Sequence, residues 1–352
     1  MGAHKKTLTG RIRTQVTGKL KYYRNSMSDY LIRRPHRSFQ RTRRRDYIRS
    51  LALPGYISFS AYVVKILYAH KKLFLGLALF YAVLGGLLVG VASQETYSQL
   101  TELLDETGAN LFSGGWGAIG QATTLFIATA SGGITPSLTE AQQIYSGIIL
   151  LLTWLATVWA LRAILAGGST PSLRAVLYNS GSPIIGTGLV MLAAVFQLLP
   201  VALAVVIVNA AIATGMFDSP TMSMLISLVA GGLSLLSIYW ITSTIMALVV
   251  VTLPGMYPWQ AIRTAGDLVI GRRLRILLRL LWMMLVSAVV ITLIVLPVIM
   301  LDRALTGIWS WFEVIPLVPF TVMAVSSLVV VWSASYVYLL YRKVVEDDAS
   351  PA

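Results

Sequence analysis

The sequence predicts an all-α integral membrane protein: a polytopic bundle of about six transmembrane helices, with amphipathic interfacial helices on its cytoplasmic side. Three observations predict this class. Of the 352 residues, 56% are hydrophobic and only 12% are charged, whereas a soluble domain has about 25% charged residues. Six long apolar windows recur along the chain. Basic residues concentrate in alternate connections between these windows, as the positive-inside rule requires.

Each predicted span is an apolar run of about the length that crosses the hydrocarbon core, which takes roughly 20 helical residues. The runs are continuously apolar rather than alternating, which excludes the strands of a membrane barrel. The second run is short, and it lengthens if Gln142, Gln143 or Arg162 extends toward the interface. The six windows cover 73–91, 144–161, 184–208, 224–253, 276–300 and 316–341.

Charge placement orients the predicted spans. The long outer connection, 92–143, contains no Lys or Arg, whereas the connection after the second span contains two arginines and the connection after the fourth contains four. Because Lys and Arg concentrate in cytoplasmic loops, both termini are predicted to be cytoplasmic. The protein is therefore predicted to be a multi-pass protein of the cell membrane, with a short acidic cytoplasmic tail at 344–352.

The first 72 residues are strongly basic. They contain 18 of the 28 Lys and Arg residues and two acids, so this segment carries +16 while the rest of the chain carries −2. This asymmetry predicts an anionic partner. We assign residues 1–50 to a basic cytoplasmic region and 51–343 to the membrane domain. An apolar stripe at 12–31 predicts a basic amphipathic helix, with a partly disordered tail as the alternative.

The densest charge lies at residues 33–46, where seven of fourteen residues are arginine. Proximity to the first span predicts contact with anionic lipid headgroups. Nucleic acid is disfavoured because no RNA-binding motif accompanies the arginines, and the plain alternative is that they only enforce topology. The predicted lipid or phosphate contacts are Arg33, Arg34, Arg37, Arg41, Arg43, Arg44, Arg45, Lys71, Lys72, Arg272 and Arg273.

A similar arrangement precedes the first, third and fifth spans. Leu53-Pro54-Gly55 is followed by a mixed apolar stretch with a basic end, and Leu253-Pro254-Gly255 is followed by another. A fainter copy begins at Pro171. Each pair of spans is therefore predicted to follow a surface helix, which gives three repeats of a helix plus a hairpin.

The segments 171–183 and 254–275 each run directly into a span. In this arrangement, residues 53–341 resemble the membrane domain attached to some glycerophosphodiester phosphodiesterases and related six-span families of the bacterial inner membrane. The resemblance implies a topology. The hydrolase active site of that family belongs to a separate soluble domain, which we do not expect in this chain.

The outer connection contains an apolar segment, 113–133, that is too short and too rich in threonine to span. A helix resting on the outer surface is the favoured interpretation, and a re-entrant helix is the alternative. Glu102, Asp105 and Glu106 precede it. We interpret them as a solvated acidic helix rather than as a cation site or an acid–base pair.

Catalytic and metal-binding patterns are absent from the sequence. It has no cysteine, and its three histidines do not have metal-ligand spacing. Ion-driven transporters usually have ionisable residues deep in their spans, and the predicted spans of this chain have none. Arg279, one turn inside the fifth span, is predicted to extend to the headgroups. We therefore expect no enzymatic activity and no cofactor. The favoured function is that of a scaffold or partner subunit, and the expected partners are anionic lipid, another protein or a second copy of the chain. A passive transporter or export permease for a small apolar or lipid-like solute is the alternative.

Overall fold

The structure is a computed structural model that describes residues 53–89, 140–167, 170–216, 219–308 and 317–349. The predictions made for 12–31, for the arginines between 33 and 45, for the acids at 102–106 and for the segment 113–133 fall outside these ranges. Within them the regular structure is helical. The helices are α1 (Tyr56–Ala69), α2 (Lys71–Leu88), α3 (Glu140–Leu165), α4 (Leu173–Asn179), α5 (Ile184–Ala213), α6 (Pro220–Val250), α7 (Pro258–Val269), α8 (Arg273–Ile308) and α9 (Leu317–Ala349).

Six of these helices (α2, α3, α5, α6, α8 and α9) are long and apolar enough to cross a membrane. They confirm the predicted all-α membrane bundle and the order of its spans. The second span is longer than its apolar window, because α3 continues through Gln142 and Gln143 at one end and Arg162 at the other. With 26 residues it exceeds the length that a crossing requires.

Three short helices, α1, α4 and α7, each stand directly before a pair of long helices, as the repeat predicts. The hydroxyl of Ser172 caps α4 by accepting a hydrogen bond of 3.3 Å from the backbone N–H of Ala175. A single residue, His70, separates α1 from α2. Lys71 and Lys72 therefore form the first turn of a long helix rather than the end of a surface helix.

The two Leu-Pro-Gly turns differ in backbone conformation. Gly255 has a φ of +76°, in the left-handed region that favours glycine. Gly55 has φ −52° and ψ 161°, which other residues adopt without strain. The shared sequence therefore places a short helix at the same point of the repeat through two different turns.

One end of the bundle, called the basic end below, brings together the starts of α2, α5 and α8, the ends of α3, α6 and α9, and the three short helices. Contacts between distant parts of the chain define it. His70 Nδ1 lies 3.1 Å from Thr170 Oγ1, and an added Cβ on Gly186 of α5 would lie 3.2 Å from Val251. The long helices therefore alternate in direction, as the loop charges predict.

The main hydrophobic core lies at the basic end and includes residues from all three short helices. Phe59 and Val63 of α1, Val176 of α4, and Ala261 and Ala265 of α7 are all 0% exposed. Burial of this kind is the main favourable contribution to packing for a helix too short to be stable alone. The short helices are therefore integral parts of the fold.

Helices α5 and α6 are joined by polar contacts inside an apolar pair. Pro200 interrupts the hydrogen bonding of α5, and the next backbone N–H, of Val201, donates to Ser237 Oγ of α6 at 3.2 Å. Thr244 Oγ1 donates to Oε1 of Gln197 at 2.6 Å. Two buried hydroxyls of α6 thus form hydrogen bonds to polar groups of α5.

Candidate functional site at the basic end

The four predicted lipid contacts that the structure describes have different environments. Lys71 and Lys72 are exposed at the start of α2, and Nζ of Lys71 lies 4.7 Å from the centre of the Tyr68 ring. Both lysines are therefore placed where they can reach a headgroup. The arginines from 33 to 45 lie outside the described residues.

Arg272 and Arg273 are engaged within the protein. Arg272 is only 3% exposed, and its Nη1 donates to the backbone carbonyl of Val344 in α9 at 3.2 Å. Arg273 is half-buried and donates to the carbonyl of Tyr239 at 2.8 Å, with Cζ 3.6 Å from the centre of the Tyr239 ring. Arg272 thus holds α9 against the start of α8, and we do not assign it a headgroup contact.

Arg279 lies in the second turn of α8 and is 6% exposed. Its guanidinium donates to the carbonyls of Gly55 (3.2 Å) and Pro54, and its Cζ lies 4.2 Å from the centre of the Tyr56 ring. The prediction that Arg279 extends to the headgroups is wrong, because its side chain is buried and donates to carbonyls of the first Leu-Pro-Gly turn. Hydrogen bonds from a charged donor are strong, so Arg279 holds the start of α1 against α8.

Arg162, near the end of α3, has a related role. Its Nη1 donates to the carbonyl of Thr252 at 2.8 Å and its Nη2 to the Thr252 hydroxyl at 2.6 Å. Thr252 follows α6 and directly precedes the second Leu-Pro-Gly turn. The cation therefore satisfies an otherwise free carbonyl at a helix C-terminus, where positive charge is favourable. An arginine from another hairpin thus binds at each of the two Leu-Pro-Gly turns.

Each short helix presents a prominently exposed aromatic side chain: Tyr68 of α1 is 68% exposed, Tyr178 of α4 is 87% exposed and Trp259 of α7 is 78% exposed. In α4 and α7 an exposed arginine (Arg174 and Arg263, respectively) stands four positions away on the same helix face. In α1 the partner is Lys71. The sequence analysis missed this shared feature, although the spacing of four was visible in two of the three helices.

The side chains that the structure describes at the basic end include more exposed cations than exposed acids. The exposed acids among them are Asp267 and Glu346, and Glu346 pairs with Lys343 at 2.8 Å and with Arg342 at 3.5 Å. These described side chains therefore carry a net positive charge. The exposed cations among them are Lys65, Lys71, Lys72, Arg174, Arg263 and Arg275.

An apolar crevice of about 410 Å³ lies beside this surface. Its walls are residues of α8 between 286 and 294, residues of α9 between 325 and 332, and the adjoining parts of α1 and α2. Trp282 Nε1 donates to Ser60 Oγ at 3.0 Å, which joins α8 to α1 about one turn before the crevice begins. The crevice therefore extends from α1 into the membrane-spanning part of the bundle.

The sides of the crevice are open. Leu75 of α2, Val290 of α8 and Leu328 of α9 line it and are 54%, 39% and 39% exposed. Lys71 also lines it, at the junction of α1 and α2. An apolar space with one cation at its edge has the polarity pattern of a membrane lipid, which has apolar chains and a polar headgroup.

Comparison of the chain with protein-family models, with curated proteins and with solved structures finds no match. The function proposed below therefore depends on the geometry of the basic end.

Proposed function

We propose that this integral membrane protein is a non-enzymatic scaffold or partner subunit that binds anionic lipid headgroups at its basic end. The observation that carries the proposal is an exposed aromatic with a nearby cation at each of the three short helices, where the cation beside Tyr68 of α1 is Lys71 at the start of α2. Tyr and Trp rings prefer the headgroup level of a bilayer. Lys and Arg beside them attract anionic lipid, at about 1 kcal/mol for each basic residue near the surface.

The orientation is part of the same proposal. The positive-inside rule places the basic end in the cytoplasm, where anionic lipid gives the leaflet a negative surface potential. The same rule predicts that the basic N-terminal region, with the arginine-rich stretch 33–46, is cytoplasmic as well. The topological likeness to the glycerophosphodiester phosphodiesterase membrane domain agrees with this arrangement and carries no activity with it.

The arginines that bind carbonyls within the protein support the proposal indirectly. Arg162, Arg272 and Arg279 each donate to backbone carbonyls of another segment. They fix the short helices and helix ends that present the exposed side chains. The two groups of cations therefore have different roles. An arginine that binds carbonyls within the protein stabilises the surface, and an exposed cation is available to contact headgroups.

A lipid-selectivity experiment on the full chain tests the proposal. The protein is reconstituted into bilayers that contain spin-labelled phosphatidylglycerol or spin-labelled phosphatidylcholine, and the motionally restricted fraction of each lipid is compared by electron spin resonance. We expect wild type to restrict phosphatidylglycerol preferentially. The combined variant K65Q/R174Q/R263Q should lose most of this preference, because it removes exposed cations from all three short helices.

The control is R342Q/K343Q, which removes two cations that already pair with Glu346. We expect it to keep most of the selectivity. Equal selectivity in wild type and in K65Q/R174Q/R263Q would contradict the proposal for the described surface. Replacing the seven arginines between 33 and 45 by glutamine, in the full chain, tests the N-terminal part separately.

The crevice favours a second candidate function, passive passage or export of a lipid-like solute. The crevice is apolar, lies along the membrane-spanning helices and has a cation at its edge. These properties suit a lipid-like molecule that moves along a protein surface between leaflets. A dithionite assay of fluorescent lipid in proteoliposomes distinguishes the two functions. A scaffold leaves about half of the label protected in sealed vesicles, whereas a lipid-translocating protein exposes nearly all of it.

A further inference from the structure

We propose that the crevice between α1, α2, α8 and α9 is a binding site for one acyl chain of an anionic glycerophospholipid, with the headgroup phosphate beside Lys71. The anionic part rests on the proposed function, while the acyl-chain part does not. This site differs from the exposed surface of the short helices. The crevice binds one lipid molecule at a defined position, whereas the surface attracts anionic headgroups in general.

The lining excludes a polar occupant. The Ser60 hydroxyl accepts from Trp282 Nε1 at 3.0 Å and donates to the carbonyl of Tyr56 at 3.1 Å. The Ser287 hydroxyl donates to the carbonyl of Met283 at 2.9 Å. The serine hydroxyls in the wall are therefore already hydrogen-bonded to the protein. A solute with buried polar groups would lose its hydrogen bonds to water there without replacing them.

The volume suits a small molecule. The crevice measures about 410 Å³, within the range of about 300–1,000 Å³ that is typical of small-molecule sites. An acyl chain is thin and flexible enough to follow the groove, and by filling it restores the dispersion contacts that an empty apolar space lacks.

The position of Lys71 selects the headgroup. Lys71 is exposed, lines the crevice at the α1–α2 junction, and is the sole charged side chain among the described residues of the lining. Its Nζ is held 4.7 Å from the centre of the Tyr68 ring, which places an ammonium next to an aromatic side chain at one end of an apolar groove. This complementarity fits a phosphate joined to an acyl chain, and no carboxylate stands in the lining to oppose it.

The chain supplies matched controls for both parts of the site. Val289 and Val290 are neighbours on α8 with 47% and 39% exposure, and only Val290 lines the crevice. Lys71 and Lys72 are neighbours on α2, both exposed, and only Lys71 lines the crevice. V290W therefore fills the site while V289W adds the same bulk beside it, and K71Q removes the rim charge while K72Q removes an adjacent one.

Native mass spectrometry of the full-length protein, titrated with phosphatidylglycerol or phosphatidylcholine, tests the proposal. We expect wild type to retain one phosphatidylglycerol molecule most strongly. V290W should weaken retention of this first lipid about tenfold, and V289W should leave it unchanged. K71Q should weaken phosphatidylglycerol about fivefold, which corresponds to ~1 kcal/mol for one basic residue near a membrane phosphate, and K72Q should have little effect.

Equal retention of the first lipid by V290W and V289W overturns the acyl-chain site, and loss of a protein dimer without loss of lipid in V290W overturns it as well. If V290W weakens retention of both lipids equally and K71Q does not change the retention of phosphatidylglycerol, the anionic assignment is overturned. Failure of the proposed function gives a different result. The spin-label experiment then shows no preference for phosphatidylglycerol, while V290W still retains the first lipid less well than V289W.

Discussion

The guanidinium of Arg279 donates a hydrogen bond of 3.2 Å to the backbone carbonyl of Gly55, a residue 224 positions earlier in the chain. This contact joins the third hairpin to the turn that begins the first surface helix. The ring of Tyr56 lies against the same cation, with Cζ 4.2 Å from its centre. The contact makes the first 20 described residues part of the bundle rather than an extension of the N-terminal region.

Replacing Arg279 should destabilise the protein because its buried guanidinium holds the carbonyls of Pro54 and Gly55, and the substitution removes this charged donor. We expect R279Q to lower the free energy of unfolding by about 2 kcal/mol, measured in detergent by thermal unfolding followed by tryptophan fluorescence. R275Q, at an exposed position one turn earlier in α8, should change it by less than about 0.5 kcal/mol. Equal effects of the two substitutions would contradict the enclosed position of Arg279.

The two Leu-Pro-Gly turns should respond differently to alanine. We expect G255A to cost about 1–2 kcal/mol, because φ at this position is +76° and L-residues are strained there. G55A should cost less, since its φ of −52° is ordinary and the nearest atom, Ser58 Oγ at 3.2 Å, belongs to a side chain that can move. Melting temperatures of the two variants in the same detergent check the order, and a larger loss in G55A would contradict it.

Pro200 and Ser237 should be coupled energetically. The Val201 N–H donates to Ser237 Oγ across the helix pair, so S237A removes an interhelical hydrogen bond in an apolar surrounding. We expect S237A to cost about 1 kcal/mol in wild type, and less in a P200A background. That background restores the backbone N–H that proline lacks, so α5 should depend less on the hydrogen bond to Ser237.

A double-mutant cycle measures the coupling, which we expect to be about 0.5 kcal/mol or more. S234A is the control, because Ser234 donates to the carbonyl of Ala230 in its own helix at 2.8 Å. It should show no coupling to P200A. Additive effects of P200A and S237A would show that the interhelical hydrogen bond does not depend on the proline.

The orientation can be read with single cysteines, because the natural chain has none. Y178C lies on α4 at the basic end and M216C lies beyond the end of α5 at the opposite end, where the native side chains are 87% and 53% exposed. We expect a membrane-impermeant maleimide to label M216C in intact cells and Y178C only after permeabilisation. The reverse pattern would place the basic end outside. V63C, at a position that is 0% exposed, controls for labelling of unfolded protein.

The arrangement of elements was predictable because hydrophobic length and charge alternation act locally and repeat along the chain. A run such as the one in α5 has to be helical in a bilayer whatever its neighbours are, since its backbone groups must be satisfied internally. The Leu-Pro-Gly turns marked the starts of α1 and α7 for the same reason, because proline and glycine restrict or release the backbone at their own positions.

The roles of the arginines were not predictable in this way. Arg272, Arg273 and Arg275 lie within four positions of one another, and the sequence offers no means of separating them. In the structure Arg272 is enclosed, Arg273 binds the carbonyl of Tyr239, and Arg275 is exposed. Successive residues of a helix point about 100° apart, so neighbouring arginines face different parts of the protein. Which parts they face depends on segments that are distant in the sequence.

The sequence by itself determined that this is a six-span helical membrane protein with a basic end and three surface helices, because each of these features depends on the composition of a continuous segment. Only the tertiary structure decided that Arg279 faces the carbonyl of Gly55 rather than lipid headgroups, and that α1, α2, α8 and α9 leave an apolar crevice with Lys71 at its edge. The physical reason is that burial and acceptor geometry arise between segments up to 225 positions apart, and no local pattern encodes which side chain will meet which carbonyl.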